Sequence, residues 1–332
     1  MIRLPKVLAA ELTYTCNHRC IFCSCPWEAD SNLKLDEIDT EEWKRLLLKI
    51  KSHGVEHITF TGGEPTLRKD IFEILDYSRK LGYTLGLITN GQGIDDFFLQ
   101  RIKTYDVLLS ISVPGIDTFA TMTKNDNIEG VLNLFAACKK IGIKTVANIA
   151  VTKKNLSELY ENISLPIING ASYVLLNRFL PGGRGLDNKE FLLTIDEINT
   201  MFDIAEDVLS RAGIKGHVGT ELPYCIIKTP ERYSHLGIGS LCGAAKQFFV
   251  IDPSGYIKVC NHSPTRVCKW NELDSLSINT YWESFRQLDY IPGMCQNCKY
   301  LKTKCDGGCR EAAHVYHGSI LDSDPCFDEK LV

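Results

Sequence analysis

No stretch of the chain stays apolar for the roughly 18 residues that a membrane-crossing helix needs. Lys and Arg (37) against Asp and Glu (41) leave a formal charge of −4, and the basic residues are scattered. That balance offers no electrostatic footprint for nucleic acid and no basic block for an anionic membrane surface. The N-terminus, MIRLPKVLAAELTYTC, has only a short apolar segment that runs straight into a cysteine loop, so it reads as a first strand and not a secretion signal. Internal repeats and low-complexity tracts are also missing, and the eight histidines fall at no metal-ligand spacing. The remainder, 44% hydrophobic and 23% charged over 332 residues, suits a soluble chain with one large α/β domain and a smaller appendage.

Cysteine is the exception, with fourteen, three of them in the first 23 residues and eight after position 241. A chain without an export signal is expected in the cytoplasm, where thiols stay reduced, so metal ligation is expected over a disulfide framework. Cys16, Cys20 and Cys23 are spaced C-x3-C-x2-C in ELTYTCNHRCIFCSCPW. Three thiolates on one loop can take three corners of a [4Fe–4S] cubane and leave its fourth iron without a protein ligand. An open iron binds a substrate or cofactor directly, which argues for chemistry and not only electron storage. Phe22, before the third cysteine, lies over whatever sits beside the cluster.

From residue 7 to about 212, β-rich apolar runs alternate with amphipathic helical runs, the pattern of a parallel α/β sheet. Strands are predicted at Val7–Leu12, His57–Phe60, Thr84–Ile88, Val107–Val113, Thr145–Val151 and Tyr173–Phe179. Five of the six have a clear following helix; predicted helices include Thr40–Lys51, Lys69–Leu81, Ile128–Ile141 and Ile195–Arg211, the last with Thr194 as N-cap and Gly213 past its end. Six units are too few to close an eight-stranded barrel, so the expectation is an open (β/α)6 partial TIM-type barrel. The organisation expected is a barrel over 1–212, a bridge over 213–235 and a cysteine-rich C-terminal domain over 236–332. Each motif follows a strand, where parallel α/β folds place their sites: the cysteine loop, TGGEP, TNG, the PG turn and PGGRG.

In the TGGEP turn, Gly62 and Gly63 are expected to let the backbone approach a ligand and donate N–H groups to it, with Glu64 receiving a ligand ammonium. Alone, the same residues also make a tight turn before a helix. One strand after C-x3-C-x2-C, they resemble the motif that holds the amino group of S-adenosylmethionine (SAM) in radical SAM enzymes, and the chain resembles that superfamily from its first strand to Cys326. The resemblance implies a SAM molecule chelated by the open iron, reductive cleavage to a 5′-deoxyadenosyl radical, and hydrogen abstraction from an unactivated C–H bond. It makes Cys16, Cys20 and Cys23 ligands, sets Phe22 beside adenine, gives Gly62, Gly63 and Glu64 the methionyl end, Ser112 the ribose and Arg178 the SAM carboxylate. The softer two have plainer readings, Ser112 as a turn residue and Arg178 as the partner of a surface carboxylate.

Past position 241, Cys242 and Cys260 form C-x12-G-x4-C, followed by C-x2-C-x6-C-x3-C over Cys295, Cys298, Cys305 and Cys309, and then Cys326. Paired cysteines at these spacings also suit zinc. Behind such a barrel they resemble the SPASM extension, whose x5 gap is here x6. The resemblance implies two auxiliary [4Fe–4S] clusters, hence three in all, with Cys242, Cys260 and Cys309 on the first and Cys295, Cys298, Cys305 and Cys326 on the second. Cys225, Cys268 or an open site is left for the fourth position of the first cluster. Cys225, between barrel and extension, is alternatively a hydrogen-atom donor or a buried apolar thiol. The resemblance points to modification of a ribosomal peptide by crosslinking or epimerisation, with a flavodoxin or ferredoxin as reductant. Many peptide maturases carry a leader-binding domain before the barrel, whereas this barrel begins by residue 7, which counts against the peptide reading and leaves either a separate leader-binding protein or a small substrate as the expectation. The alternatives are dehydrogenation or epimerisation of a sugar, aminocyclitol or nucleoside, and, without catalysis, electron carriage.

Overall fold

In the computed structural model, which describes residues 3–328, strands and helices alternate as the periodicity predicts. β1 (Val7–Glu11), β2 (His57–Thr61), β3 (Thr84–Thr89), β4 (Leu108–Ser112), β5 (Thr145–Val151) and β6 (Tyr173–Arg178) run parallel, each hydrogen-bonded to the next. Between them lie α1 (Thr40–Ser52), α2 (Ile71–Lys80), α3 (Asp96–Lys103), α4 (Phe119–Thr123), α5 (Ile128–Ile141) and α6 (Leu159–Asn169), and α7 (Ile195–Ala212) follows β6. Every strand therefore has a helix after it, and this is the (β/α)6 unit. One face of the strands is largely apolar: Leu8, Ala10, Ile58, Phe60, Leu109 and Ile111 share a core with Trp43, Leu46, Leu47 and Ile50 of α1. Residues of the other face, including Thr59, Ser110, Ser112, Asn148 and Asn177, are polar and only partly buried. A sheet with one apolar and one polar face packs helices on the first and leaves the second for a ligand.

α7 begins with a capping box between Thr194 and Glu197 and ends at Gly213, whose φ of 67° is the left-handed conformation that suits glycine at a helix C-terminus. The sheet does not stop there. β7 (Gly216–Val218) and β8 (Leu236–Ile238) extend it in parallel beyond β6. At the other side β9 (Phe248–Ile251) pairs in parallel with the free edge of β1, and antiparallel β10 (Tyr256–Lys258) and β11 (Cys268–Lys269) follow. The expected bridge at 213–235 thus has sheet running through it, and the order is β11-β10-β9-β1-β2-β3-β4-β5-β6-β7-β8. The cysteine-rich region also carries α8 (Thr280–Gln287) and α9 (Arg310–His317). Among the described residues, no helix is long and apolar enough to cross a membrane.

Candidate active site and cysteine sites

The loop after β1 is tied down by backbone bonds on several sides. Arg19 and Ile21 donate to the carbonyls of Thr123 and Met122 at the end of α4, at 3.0 and 2.9 Å. Cys23 accepts from Gly185 at 3.2 Å, and Asn188 Nδ2 donates to Ile21 at 3.1 Å. The turn after β2 closes on the same loop: Gly63 N–H donates to Thr13 at 2.7 Å and Glu64 N–H to Thr15 at 2.8 Å. A Cβ on Gly63 would stand 2.2 Å from the Thr15 oxygen, so only glycine allows this contact. Here the structure corrects the sequence reading for one of the two glycines: the Gly63 N–H, like that of Glu64, holds the segment leading into the cysteine loop and is not free for a ligand.

Cys16, Cys20 and Cys23 line one cleft with Phe22, Gly62, Gly63, Glu64, Ser112 and Arg184. About 720 Å³ of space, part of it open to solvent, lies between its walls. Cys16 is exposed, and Cys20 and Cys23 are partly so. Phe22 also packs on the apolar cluster of Phe179, Phe191 and Leu192. Burial pushes the Cys16 and Cys20 thiols up, with the Arg184 guanidinium acting against it. A hydrogen bond with Cys25 pulls the Cys23 thiol down.

Glu64 is buried, yet it has no cationic partner among its hydrogen bonds. Its Oε1 accepts from Thr66 N (3.2 Å), Thr66 Oγ1 (2.8 Å) and Thr89 Oγ1 (2.8 Å), and its Oε2 accepts only from Asn90 N (2.7 Å). Burial raises its pKa despite these donors. An ionised carboxylate offers about two acceptor directions per oxygen, so Oε2 keeps capacity for a cation in the cleft. Three thiols on one wall, an under-used carboxylate on another and the hydroxyl of Ser112 at the end of β4 fit a cubane with an attached amino acid.

Arg178 is not among the residues lining this cleft. Its guanidinium grips Asp324 bidentately, Nη1 to Oδ1 at 2.9 Å and Nη2 to Oδ2 at 2.5 Å, with Nη2 also donating to the Glu221 carbonyl at 2.9 Å. The partner is a buried carboxylate of the extension, not a surface one or a cleft ligand. The cation that does line the cleft is Arg184 of PGGRG, whose Nη1 donates to the Cys20 carbonyl at 3.3 Å and whose Nη2 pairs with Glu28. It reaches there because Gly182 and Gly183 press on the cysteine loop; a Cβ on Gly183 would stand 2.4 Å from the Cys25 oxygen, and its φ is +50°.

The later cysteines gather in two groups. Cys260 feels the charges of both Cys242 and Cys309, all three being buried. Cys295 lies within the field of Cys298 and Cys305. Cys225 joins this second group: Tyr224 N–H donates to Cys305 Sγ at 3.3 Å, and Cys225 itself feels Cys305, Cys298 and Cys295 while Cys326 feels Cys225. The thiol is exposed, which removes the reading of Cys225 as a buried apolar residue, and it does not line the cleft. Cys268, on edge strand β11, sits beside Ser275 and Glu272. Among the described residues no three Cys, His, Asp or Glu side chains stand at the spacing of a single-ion site; the corners of a cubane lie farther apart than that.

Two carboxylates that the sequence reading did not single out organise these groups. Asp306 Oδ2 accepts from Cys242 N–H at 2.8 Å and from Tyr290 at 3.0 Å. Asp324 Oδ2 accepts from Cys309 N–H at 2.8 Å and its Oδ1 from Cys326 N–H at 3.1 Å. Asn90 of TNG, which binds Glu64 and directs Nδ2 to Asn17 Oδ1 at 2.6 Å, was visible only as part of a motif after a strand.

A parallel α/β unit with three cysteines on the loop after its first strand and a glycine-rich turn docked on them defines an iron–sulfur enzyme site at the strand ends. Residues 10–165 match the Radical SAM superfamily, the family to which this part of the chain is similar. Over 343 aligned residues it is 26% identical to the PqqA peptide cyclase of Granulibacter bethesdensis, covering 98% of this chain and 87% of the relative. Its fold is similar to that of SuiB from Streptococcus suis bound to the precursor peptide SuiA, with a TM-score of 0.77 at 18% identity, over 98% of this chain and 76% of that one. It is likewise similar to anSMEcpe with bound AdoMet, with a TM-score of 0.74 at 18% identity over 97% and 93% of the two chains.

Proposed function

We propose that this enzyme modifies a ribosomally made peptide, forming a crosslink or inverting a residue by radical chemistry in the cytoplasm. The observation that carries the proposal is the single cleft that gathers Cys16, Cys20, Cys23, Glu64 and Ser112 at the strand ends. The peptide class draws on the relatives, a peptide cyclase matched along 98% of this chain and a fold neighbour solved with its precursor peptide. The cluster and SAM, when bound, supply the carbon radical that removes hydrogen from an unactivated C–H bond; the protein positions the target and excludes competing reactions. In this reading Cys16, Cys20 and Cys23 hold the cubane, Glu64 Oε2 receives the SAM ammonium, Ser112 the ribose and Phe22 the adenine, while Gly62 and Gly63 shape the wall. The carboxylate end goes to Arg184, the cation that lines the cleft, in place of Arg178.

The extension reads as SPASM, with Cys242, Cys260 and Cys309 on one auxiliary cluster and Cys295, Cys298, Cys305 and Cys326 on the other. Cys225 borders the second, and its exposed thiol is the candidate hydrogen-atom donor if the reaction inverts a residue. A flavodoxin- or ferredoxin-type reductant completes the system.

The test is anaerobic reconstitution, iron, sulfide and zinc analysis, and incubation with SAM, a reductant and a candidate precursor peptide. Expected are three cubanes, SAM cleavage and a peptide product lighter by two hydrogens for a crosslink, or of unchanged mass with altered stereochemistry. Zinc in the extension sinks the auxiliary assignment. Turnover of a sugar, aminocyclitol or nucleoside with no change in the peptide sinks the peptide reading.

A further inference from the structure

Arg178 ends β6 and is 3% exposed, as deeply buried as a core leucine. Burying a guanidinium is unfavourable unless its donors are matched. Its two Nη atoms are matched, by Asp324 and the Glu221 carbonyl. Its Nε is not: it lies buried with no hydrogen-bond partner. Buried donors are nearly always paired, and an exception points to an acceptor that is part of the working molecule.

The surroundings narrow what that acceptor is. Asp324, held by Arg178 on one side, accepts the backbone N–H of Cys309 and of Cys326 on the other. Those two cysteines belong to different groups in the arrangement above, so one ion pair touches the backbone of a ligand from each. Both thiols also lie within the field of the Arg178 cation. Bridging sulfides and thiolates are the acceptors such a place would hold, and hydrogen bonds and charge near a cluster set its potential.

We infer that Arg178 is a positioning residue of the auxiliary clusters: its Nε–H donates to a cluster sulfur, and through Asp324 its Nη face fixes Cys309 and Cys326 together. The inference rests on the reading of the extension as a two-cluster domain. A cation and an N–H donor stabilise the more negative, reduced cluster, so Arg178 holds the auxiliary potential above the value the thiolates alone would set. One shared cation also means that both clusters respond to it.

The experiment uses the full chain, reconstituted anaerobically, with iron and zinc measured before anything else. Arg178→Lys keeps a cation for Asp324 but has no Nε–H. The expected result is a wild-type iron complement, unchanged SAM affinity and a shift of at least one auxiliary cluster to lower potential in an EPR-monitored redox titration. The paired change Arg178→Gln with Asp324→Asn removes both charges at once, which avoids an unpaired buried ion, and is expected to shift both clusters. Unmoved potentials in iron-replete Arg178→Lys overturn the inference while leaving the two-cluster reading intact. Weakened SAM binding with unmoved potentials overturns it as well and returns Arg178 to the SAM carboxylate. Wild-type protein with zinc or a single cluster overturns the two-cluster reading and the inference with it.

Discussion

In the cleft, the cysteine loop is held by backbone bonds from α4 and the β2 turn, its first thiol is exposed, and the cation Arg184 donates to its Cys20 carbonyl. In the extension, the N–H groups of Cys242, Cys309 and Cys326 are taken by the carboxylates Asp306 and Asp324, and those three thiols are buried. The difference follows from what each place has to admit. A cluster that meets a ligand needs an open side and a rigid backbone behind it, so the chain fixes carbonyls and leaves sulfur facing space. In the proposed reading a cluster that only passes electrons needs no open side, and the protein closes over Cys242, Cys309 and Cys326.

The strongest way to break this comparison is to remove the open site alone. Cys16, Cys20 and Cys23 changed together to Ala are expected to abolish SAM cleavage while the extension keeps its iron, read by elemental analysis and Mössbauer spectra. Loss of all iron would show that the two regions do not load separately. Glu64→Gln keeps the shape of the wall and removes the charge; with a charged hydrogen bond worth about 1.5–3 kcal/mol, SAM affinity is expected to fall roughly 10- to 150-fold. Unchanged affinity, by calorimetry or cluster EPR, would take Glu64 out of the site.

Gly63→Ala tests whether the backbone behind the cleft has to be rigid. Its Cβ would meet the Thr15 oxygen at 2.2 Å, a clash expected to destabilise the fold by about 1–3 kcal/mol and to weaken SAM binding with it. A variant with wild-type melting and SAM affinity would mean that the β2 turn does not brace the loop. Cys225→Ser sharpens the comparison from the other side: the spectrum of an auxiliary cluster is expected to change while SAM cleavage persists, and an unchanged spectrum with lost product would point to the hydrogen-donor role.

The smallest effect concerns the sheet that joins the regions. Glu206 of α7 accepts from the backbone of His235 and Leu236 at 2.9 Å, tying the helix to β8. Partial burial pushes its pKa up, but those bonds and the His235 ring outweigh it and hold it at about 2. A carboxyl depressed in this way contributes fully above its ordinary 4.5 and loses that contribution as pH falls toward about 2. The melting temperature of wild type is therefore expected to exceed that of Glu206→Gln near neutrality and to converge with it in acid. A constant gap across that range would mean that the carboxylate charge does not carry the link.

The six parallel strands and α7 with its caps were legible because their periods and end signals are long and local: Thr194, Glu197 and Gly213 sit where a helix has to start and stop. α6 was obscured by Pro166, which reads as a breaker although the helix continues to Asn169. β7 and β8, three residues each, are too short to show a period. The cysteine ligands of the cleft were legible as a spacing, whereas Arg178 was misplaced because its partner Asp324 lies 146 residues away, a separation no local pattern reports. Arg184 and Asn90 were hidden inside motifs noticed for their glycines.

The pairing of β9 with β1 also bears on how the chain is made. Val7 and Phe248 are register partners, so at ribosomal rates of roughly 5–20 residues per second the second edge of β1 waits on the order of 10–50 s for its neighbour. Through that interval the nascent chain carries an unpaired strand edge, a template for joining another chain, beside a cysteine loop that is already complete. Cys326, the last thiol, emerges after the edge is covered. Order of synthesis thus completes the cysteine loop before the β1 edge is covered, so the young chain, more than the finished one, presents a strand edge to its own copies.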